Sequence, residues 1–169
     1  SNANIPHLVL ERSRIAERWR SERWDSLVAN GPAWHDRFPN MEFPDFDPNG
    51  FATKEQVADY FVAYADMINA PIHCGVEVIE VKRNNGRPGF RVKTSQGVIE
   101  ANNVVAATGP FQCPLIPDLI PLNKTITQIH SKDYYNPEQL PEGAVLVVGA
   151  GSSGAQIANE LLLADKSVY

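Results

Sequence analysis

The chain has 169 residues, of which 43% are hydrophobic and 21% charged, with a net charge of −5. That is length for one domain of about 100 to 200 residues and a globular composition. A negative balance with no basic stripe argues against a general nucleic-acid or membrane-surface binder. The longest apolar runs, such as Ala144 to Val148, fall far short of the roughly 20 residues needed to cross a bilayer, and no signal peptide stands out. The default expectation is therefore the cytoplasm, without a membrane contact.

Ser1-Asn2-Ala3 resembles the scar left by removal of an expression tag, so fold reasoning starts at Asn4. His7-Leu8-Val9-Leu10-Glu11 reads as a short apolar strand ending in an acid. This is the look of a second Rossmann strand whose carboxylate grips a ribose, with a plain surface glutamate as the alternative. The glycine loop of such a unit belongs before it. Only Asn4, Ile5, Pro6 and the scar stand there, so the expectation is a unit without its first strand, phosphate loop and helix.

Residues 12–50 place Trp19, Trp24 and Trp34 among Pro32, Pro39, Pro44 and Pro48, which predicts an irregular aromatic segment of the kind that forms lids or ligand walls. Thr53 and Gln56 make a capping box, after which Val57, Tyr60, Phe61, Tyr64 and Ile68 recur at helical spacing as far as Pro71. That stripe is read as core. From Val76 to Glu100, short alternating runs separated by Asn84-Asn85-Gly86 and Gln96-Gly97 predict a three-stranded antiparallel meander. Asn103 to Pro110 reads as a buried strand ending in a small-residue turn, where ligands lie at the carboxyl edge of a parallel sheet. The prolines between residues 110 and 141 predict a stiff, extended linker. Cys74 and Cys113 stand far apart with neither C-x-x-C nor zinc-ligand spacing, so buried free thiols and no metal are expected.

Gly149-Ala150-Gly151-Ser152-Ser153-Gly154 is the feature that points to a cofactor class. A lone G-x-G-x-x-G is weak. Here the apolar run Ala144 to Val148 precedes it, and Ala155, Ile157, Ala158, Leu161 and Leu162 follow at helical spacing. Gly149 would permit the tight turn, Gly151 would let the backbone approach a pyrophosphate, and Gly154 would let the helix pack on the strand. The alternative is a glycine turn that only packs. The acid or arginine that separates NAD from NADP lies roughly 20 residues beyond such a loop. Lys166-Ser167-Val168-Tyr169 is only the opening of that next strand, which leaves the two undistinguished.

Taken together, the strand and acid at Leu8 to Arg12, the segment Ile15 to Leu27, the Val104-Val105-Ala106-Ala107-Thr108-Gly109-Pro110 turn and the second glycine loop resemble the flavin-containing monooxygenase family, in its bacterial and YUCCA-like branches. The resemblance runs over nearly all of residues 5–169. It implies an α/β fold: part of a flavoprotein with two dinucleotide-binding, Rossmann-like domains for FAD and NAD(P), carrying a small antiparallel meander. It also implies a layout: a partial FAD-binding domain over 4–117, an interdomain linker over 118–142, and the start of an NAD(P)-binding domain over 143–169.

By the same resemblance Glu11 would hold the FAD ribose, Arg12 and the Trp19 region would wall the FAD, and the Val78 backbone would meet the adenine. Ala107, Thr108 and Gly109 would serve the pyrophosphate and the domain hinge, while Gly149, Gly151, Ser152, Ser153 and Gly154 would cradle the NADP pyrophosphate. The family's fingerprint ahead of the second loop is F-x-G-x-x-x-H-x-x-x-F/Y/W. Here Lys124 and Ile126 replace the Phe and Gly, while His130 and Tyr134 agree. His130 is open to two readings, a nucleotide-site residue or a structural histidine within the linker.

The implied activity is hydride transfer from NADPH to FAD, capture of O₂ as a flavin C4a-hydroperoxide, and oxygenation of a small molecule. The flavin carries that chemistry, so no catalytic side chain is named and no triad is sought. For this chain alone, expected to be cut at both ends, tight FAD or NADP binding and activity are not anticipated. Strand exchange between copies is expected to cover the exposed edges. The alternative class is a non-catalytic remnant, a binding or interaction module without flavin. A disulfide reductase shares the two-unit layout, but the cysteine pair it needs does not occur in this chain.

Overall fold

The computed structural model describes residues 5–109, 113–117 and 125–169. The tag scar, Pro110 and Lys124 therefore lie outside the described residues. The elements are β1 (Val9–Glu11), α1 (Glu17–Ser21), α2 (Lys54–Met67), β2 (Ile72–Cys74), β3 (Val78–Arg83), β4 (Phe90–Thr94), β5 (Gly97–Ala101), a 3-10 turn at Pro137–Gln139, and α3 (Ser152–Leu163). The chain divides into two compact units, one within the spans Ser1–Glu17 and Phe61–Gln112, the other within Arg18–Tyr60 and Cys113–Tyr169.

In the first unit β1 pairs in parallel with β2, Val9 opposite Ile72 and Glu11 opposite Cys74. The acid-ended strand is thus present, though shorter than the apolar run suggested. Its partner β2 was not anticipated, because Ile72-His73-Cys74 lies directly after the Pro71 stop and is too short to show a period. The meander forms as expected in the order β3-β4-β5, both pairs antiparallel, with a register shift between Val78 and Glu80. Gly86 and Gly97 take positive φ, which suits the turns they mark. Only Val92 and Thr94 of the meander are buried, while every residue of β3 is exposed.

The second unit has the denser core. Trp24, Leu27, Tyr134, Ile157 and Leu161 are buried together, with Trp19, Leu140, Val145, Val147 and Val168 packed around them. Burying one side chain as fully as Leu161 is worth about 1.5–3 kcal/mol. The capping box closes in both directions: Gln56 Oε1 accepts from the Thr53 N–H at 2.9 Å and Thr53 Oγ1 accepts from the Gln56 N–H at 3.3 Å. Of the stripe behind it Val57 and Tyr60 are core, whereas Ile68, past the last turn of α2, is exposed.

The aromatic segment is more ordered than its composition suggests. Val28 bridges Thr53, and the Ala29 N–H donates to the Ala52 carbonyl at 2.8 Å, which makes a neck. Above it Ala33 bonds Gly50 and Trp34 bonds Pro48. Tyr60 fills the loop: its ring stacks on Phe43 at 4.1 Å, and its hydroxyl donates to the Met41 carbonyl and accepts from the Phe38 N–H. The residues enclosed by the neck form a compact loop closed around the Tyr60 side chain of α2.

Three expectations are corrected. Residues 103–109 form no strand and are not buried; Val105 is 86% exposed. A strand exists only through a ladder, and these residues have no strand neighbour among the described residues. Likewise Ala144 to Val148 is not a buried strand. It makes a single parallel bridge, Val145 with Val168, and leaves Leu146 and Val148 exposed, because it is covered on one side only. Both cysteines are exposed free thiols, Cys74 at the end of a three-residue strand just before the positive-φ turn at Gly75 and Cys113 outside any described element.

Candidate dinucleotide-binding site

The glycine loop is built from the strand side by three bonds. Val145 N–H donates to Ser167 O at 2.8 Å, Val147 N–H to Tyr169 O at 2.9 Å, and Tyr169 N–H to Val145 O at 2.9 Å. This is the parallel pairing expected of the strands that flank a βαβ helix, and Lys166 to Tyr169 is the opening of the second of them. At the turn Gly149 adopts φ +112°, a region that a side chain disfavours. Helix α3 then starts at Ser152 with Gly151 as its cap, which gives the first turn no side-chain cap.

The other two glycines differ in what they demand. A Cβ on Gly154 would fall inside the van der Waals shell of the Gly149 carbonyl oxygen, 3.2 Å from its carbon and 3.6 Å from Val147 Cγ1. Helix and turn approach too closely there for any side chain. Gly151, at an ordinary φ of −76°, would meet nothing within 4 Å. Nothing in the described fold therefore requires a glycine at 151, whereas a ligand lying against the backbone would. The uncapped first turn presents N–H groups and the positive end of the helix dipole to that open space, with Ser152 and Ser153 beside it. Ile157 and Leu161 hold the far face of α3 in the core, fixing the direction in which those groups point. These residues fit a dinucleotide diphosphate.

In the first unit Glu11 sits at the carboxyl end of β1. Its Oε1 accepts from the Ser13 N–H at 2.9 Å, which orients the carboxylate, while its carbonyl takes the Val76 N–H. Arg12 is exposed, and Val78 opens the edge strand β3 opposite Thr94. Ala107, Thr108 and Gly109 are exposed, with Gly109 at φ +77°. Trp19 belongs instead to the second unit, where it packs on the core and the Arg23 guanidinium lies 6.0 Å from its ring centre. The site residues proposed for FAD thus divide between the two units.

His130 behaves as a turn former. Its Nδ1 accepts from the Lys132 N–H at 3.1 Å and its carbonyl from the Asp133 N–H at 2.8 Å, so that nitrogen is unprotonated as bonded. Tyr134 is buried and donates its hydroxyl to Glu160 of α3 at 2.6 Å. Burial first, and the Glu160 carboxylate second, raise its ionisation far above the usual tyrosine range. The stretch read as a linker is therefore anchored to the glycine-loop helix here.

Asp25 is a connection that sequence reasoning missed. Its N–H donates to Tyr135 O at 2.8 Å, Oδ2 accepts from Asn136 Nδ2 at 2.9 Å, and Oδ1 lies 3.3 Å from Nζ of the buried Lys54. The Asn136 bond, with Lys54 adding to it, holds the carboxyl below its usual range. Nothing in the spacing of these three residues signals their meeting. No group of three or more metal-ligating side chains occurs among the described residues, and no described helix is long and apolar enough to cross a membrane.

The fold and the loop define a class: an α/β chain with a Rossmann-like strand-turn-helix corner. The family model described as pyridine nucleotide-disulphide oxidoreductase matches residues 2–169, and the chain belongs to that family. Within it the relatives bear out the resemblance to flavin monooxygenases. An uncharacterized CzcO-like oxidoreductase of Geobacillus kaustophilus is 46% identical over 163 residues, 96% of this chain and 45% of the relative. The indole-3-pyruvate monooxygenase YUCCA1 of Oryza sativa is 32% identical over 160 residues, 93% of this chain and 39% of the relative. Among solved structures, a variant of a flavin monooxygenase from Stenotrophomonas maltophilia superposes with a TM-score of 0.81 at 26% identity, over 95% of this chain and 47% of that one. The chain spans less than half the length of each of these three.

Proposed function

We propose that the chain is the part of an FAD- and NADPH-dependent monooxygenase that carries one wall of the flavin site and the diphosphate cradle of the nicotinamide site. The observation that carries this is the glycine loop, where Gly154 is demanded by packing and Gly151 is demanded by nothing in the described fold. The reading keeps an FAD-binding part over 4–117, a linker over 118–142 and the start of an NAD(P)-binding domain from 143. FAD, when bound, would take a hydride from NADPH and activate O₂ for oxygenation of a small molecule.

The chain's own residues bind and orient. Backbone N–H groups of Gly151 to Gly154 and the hydroxyls of Ser152 and Ser153 would hold the NADP diphosphate at the helix mouth. Glu11, its carboxylate already oriented by the Ser13 N–H, would accept from the FAD ribose hydroxyls. Arg12, the Val78 backbone and Ala107 to Gly109 would line the remaining flavin contacts of the first unit.

The test is NADPH oxidation by the longer protein that includes this chain, with FAD and with sulfur, amine and ketone substrates in turn. Substrate-dependent oxidation with oxygen transferred to product is expected, and the 169-residue chain alone should show none. A longer protein that holds no flavin would overturn the reading in favour of a binding module.

A further inference from the structure

We propose that Gln156 is a positioning residue that couples occupancy of the glycine loop to the order of the closed aromatic loop, acting through the main chain of Val28. The inference rests on the dinucleotide reading above and extends it to a residue that touches no part of the ligand.

Gln156 lies one helical turn beyond Ser152 on α3, on the same face of the helix. Its Oε1 accepts from the Val28 N–H at 3.3 Å, and its Nε2 donates to the Val28 carbonyl at 3.2 Å and to Asn30 Oδ1 at 3.3 Å. A side chain here does what a neighbouring β-strand would do, satisfying both polar groups of one residue. Only a carboxamide offers an acceptor and donors together at this reach; a carboxylate accepts only, and an ammonium donates only.

Val28 is the point where this contact has leverage. It forms the bridge to Thr53 at the neck of the loop, and Ala29 closes the neck on Ala52. The enclosed loop displays Trp34, 55% exposed, with His35 edge-on to its ring. All three bonds run from one side chain on α3, so whatever restrains the first turns of that helix also restrains the main chain of Val28. An anion held against the first turn of α3 would restrain the helix that carries Gln156.

The experiment uses the longer protein that includes this chain, with NADP⁺ as the probe. Calorimetric titration gives its affinity, and amide hydrogen exchange at residues 28–36 is followed with and without saturating NADP⁺. In the wild type, NADP⁺ is expected to slow that exchange about fivefold or more, the lower end of ordinary intersite coupling. In Gln156→Met, which keeps the volume and removes all three bonds, the slowing should vanish, and affinity should fall by a similar factor because coupling is reciprocal. Asn30→Ala, which leaves the helix untouched, should lose part of the slowing, and this holds the test open if the first variant does not fold.

Exchange at 28–36 that is faster in Gln156→Met but still slowed by NADP⁺, with affinity unchanged, would mean a merely structural contact and would overturn the proposal. So would NADP⁺ binding to the wild type without any change at 28–36, or an Asn30→Ala chain that responds as the wild type does. A longer wild-type protein that binds no NADP⁺ takes down the dinucleotide reading itself, and this inference with it.

Discussion

Gly151 and Gly154 share one loop, yet substitution acts on them through different physics. In Gly154→Ala the new methyl meets the carbonyl of Gly149, which is backbone and cannot swing away. The expected cost is at the upper end of the about 1–3 kcal/mol typical of overpacking, seen as a lower thermal midpoint, with dinucleotide binding lost alongside. Gly151→Ala enters open space at a permissible φ, so stability should stay within about 0.5 kcal/mol. NADP⁺ affinity should nevertheless fall about tenfold, or about 1.4 kcal/mol, because the methyl occupies the room a diphosphate needs. Thermal unfolding and NADP⁺ titration of the two variants separate the effects; unchanged binding by Gly151→Ala would place the anion elsewhere. The sequence already separated packing at Gly154 from ligand approach at Gly151; the loop adds the close contact at the first and the open space at the second.

Helices and turns connect in the second unit through charge as well as apolar contact, and Asp25 is where this can be measured. Its carboxyl is held below the usual range chiefly by Asn136, with Lys54 contributing. A group depressed in the folded state stabilises fully above its unfolded value, about 3.9, and loses that contribution as pH falls through the lower folded value. The urea midpoint of the wild type should therefore drop with acid over that window. Asp25→Asn should flatten this acid limb while lowering the plateau slightly, since the side chain is largely exposed and its ties are screened. An unchanged acid limb in the variant would assign the loss to other carboxylates. The capping box at Thr53 was readable because both its partners lie within one turn of chain. Asp25, Asn136 and Lys54 were not, because their meeting depends on how distant segments pack.

For the whole molecule the open edges matter most. Among the described residues strand β1 carries a ladder to β2 alone, residues 103–107 carry none, and Val105, Leu146 and Val148 are largely exposed. Unpaired N–H and C=O groups beside apolar side chains are templates for further pairing. Association of copies by strand exchange is the expected outcome for the 169-residue chain, and light scattering coupled to size exclusion should show a mass that grows with concentration. A stable monomer over that range would show that these edges are tolerated in water.

The division between what the residues alone determined and what needed the tertiary structure follows the range of the forces involved. Gly149 to Gly154, the Thr53 box and the turns at Gly86 and Gly97 are matters of local stereochemistry, so the corner, the helix start and the meander were predictable without coordinates. Whether Asn103 to Gly109 and Ala144 to Val148 become buried strands depends on neighbours supplied from elsewhere, and apolar composition alone misjudged both, as it did for Cys74 and Cys113. The Gln156 contact with Val28 likewise exists only after folding. A hydrogen bond across 128 positions of chain leaves no trace in local pattern, because its partners are chosen by packing and not by spacing.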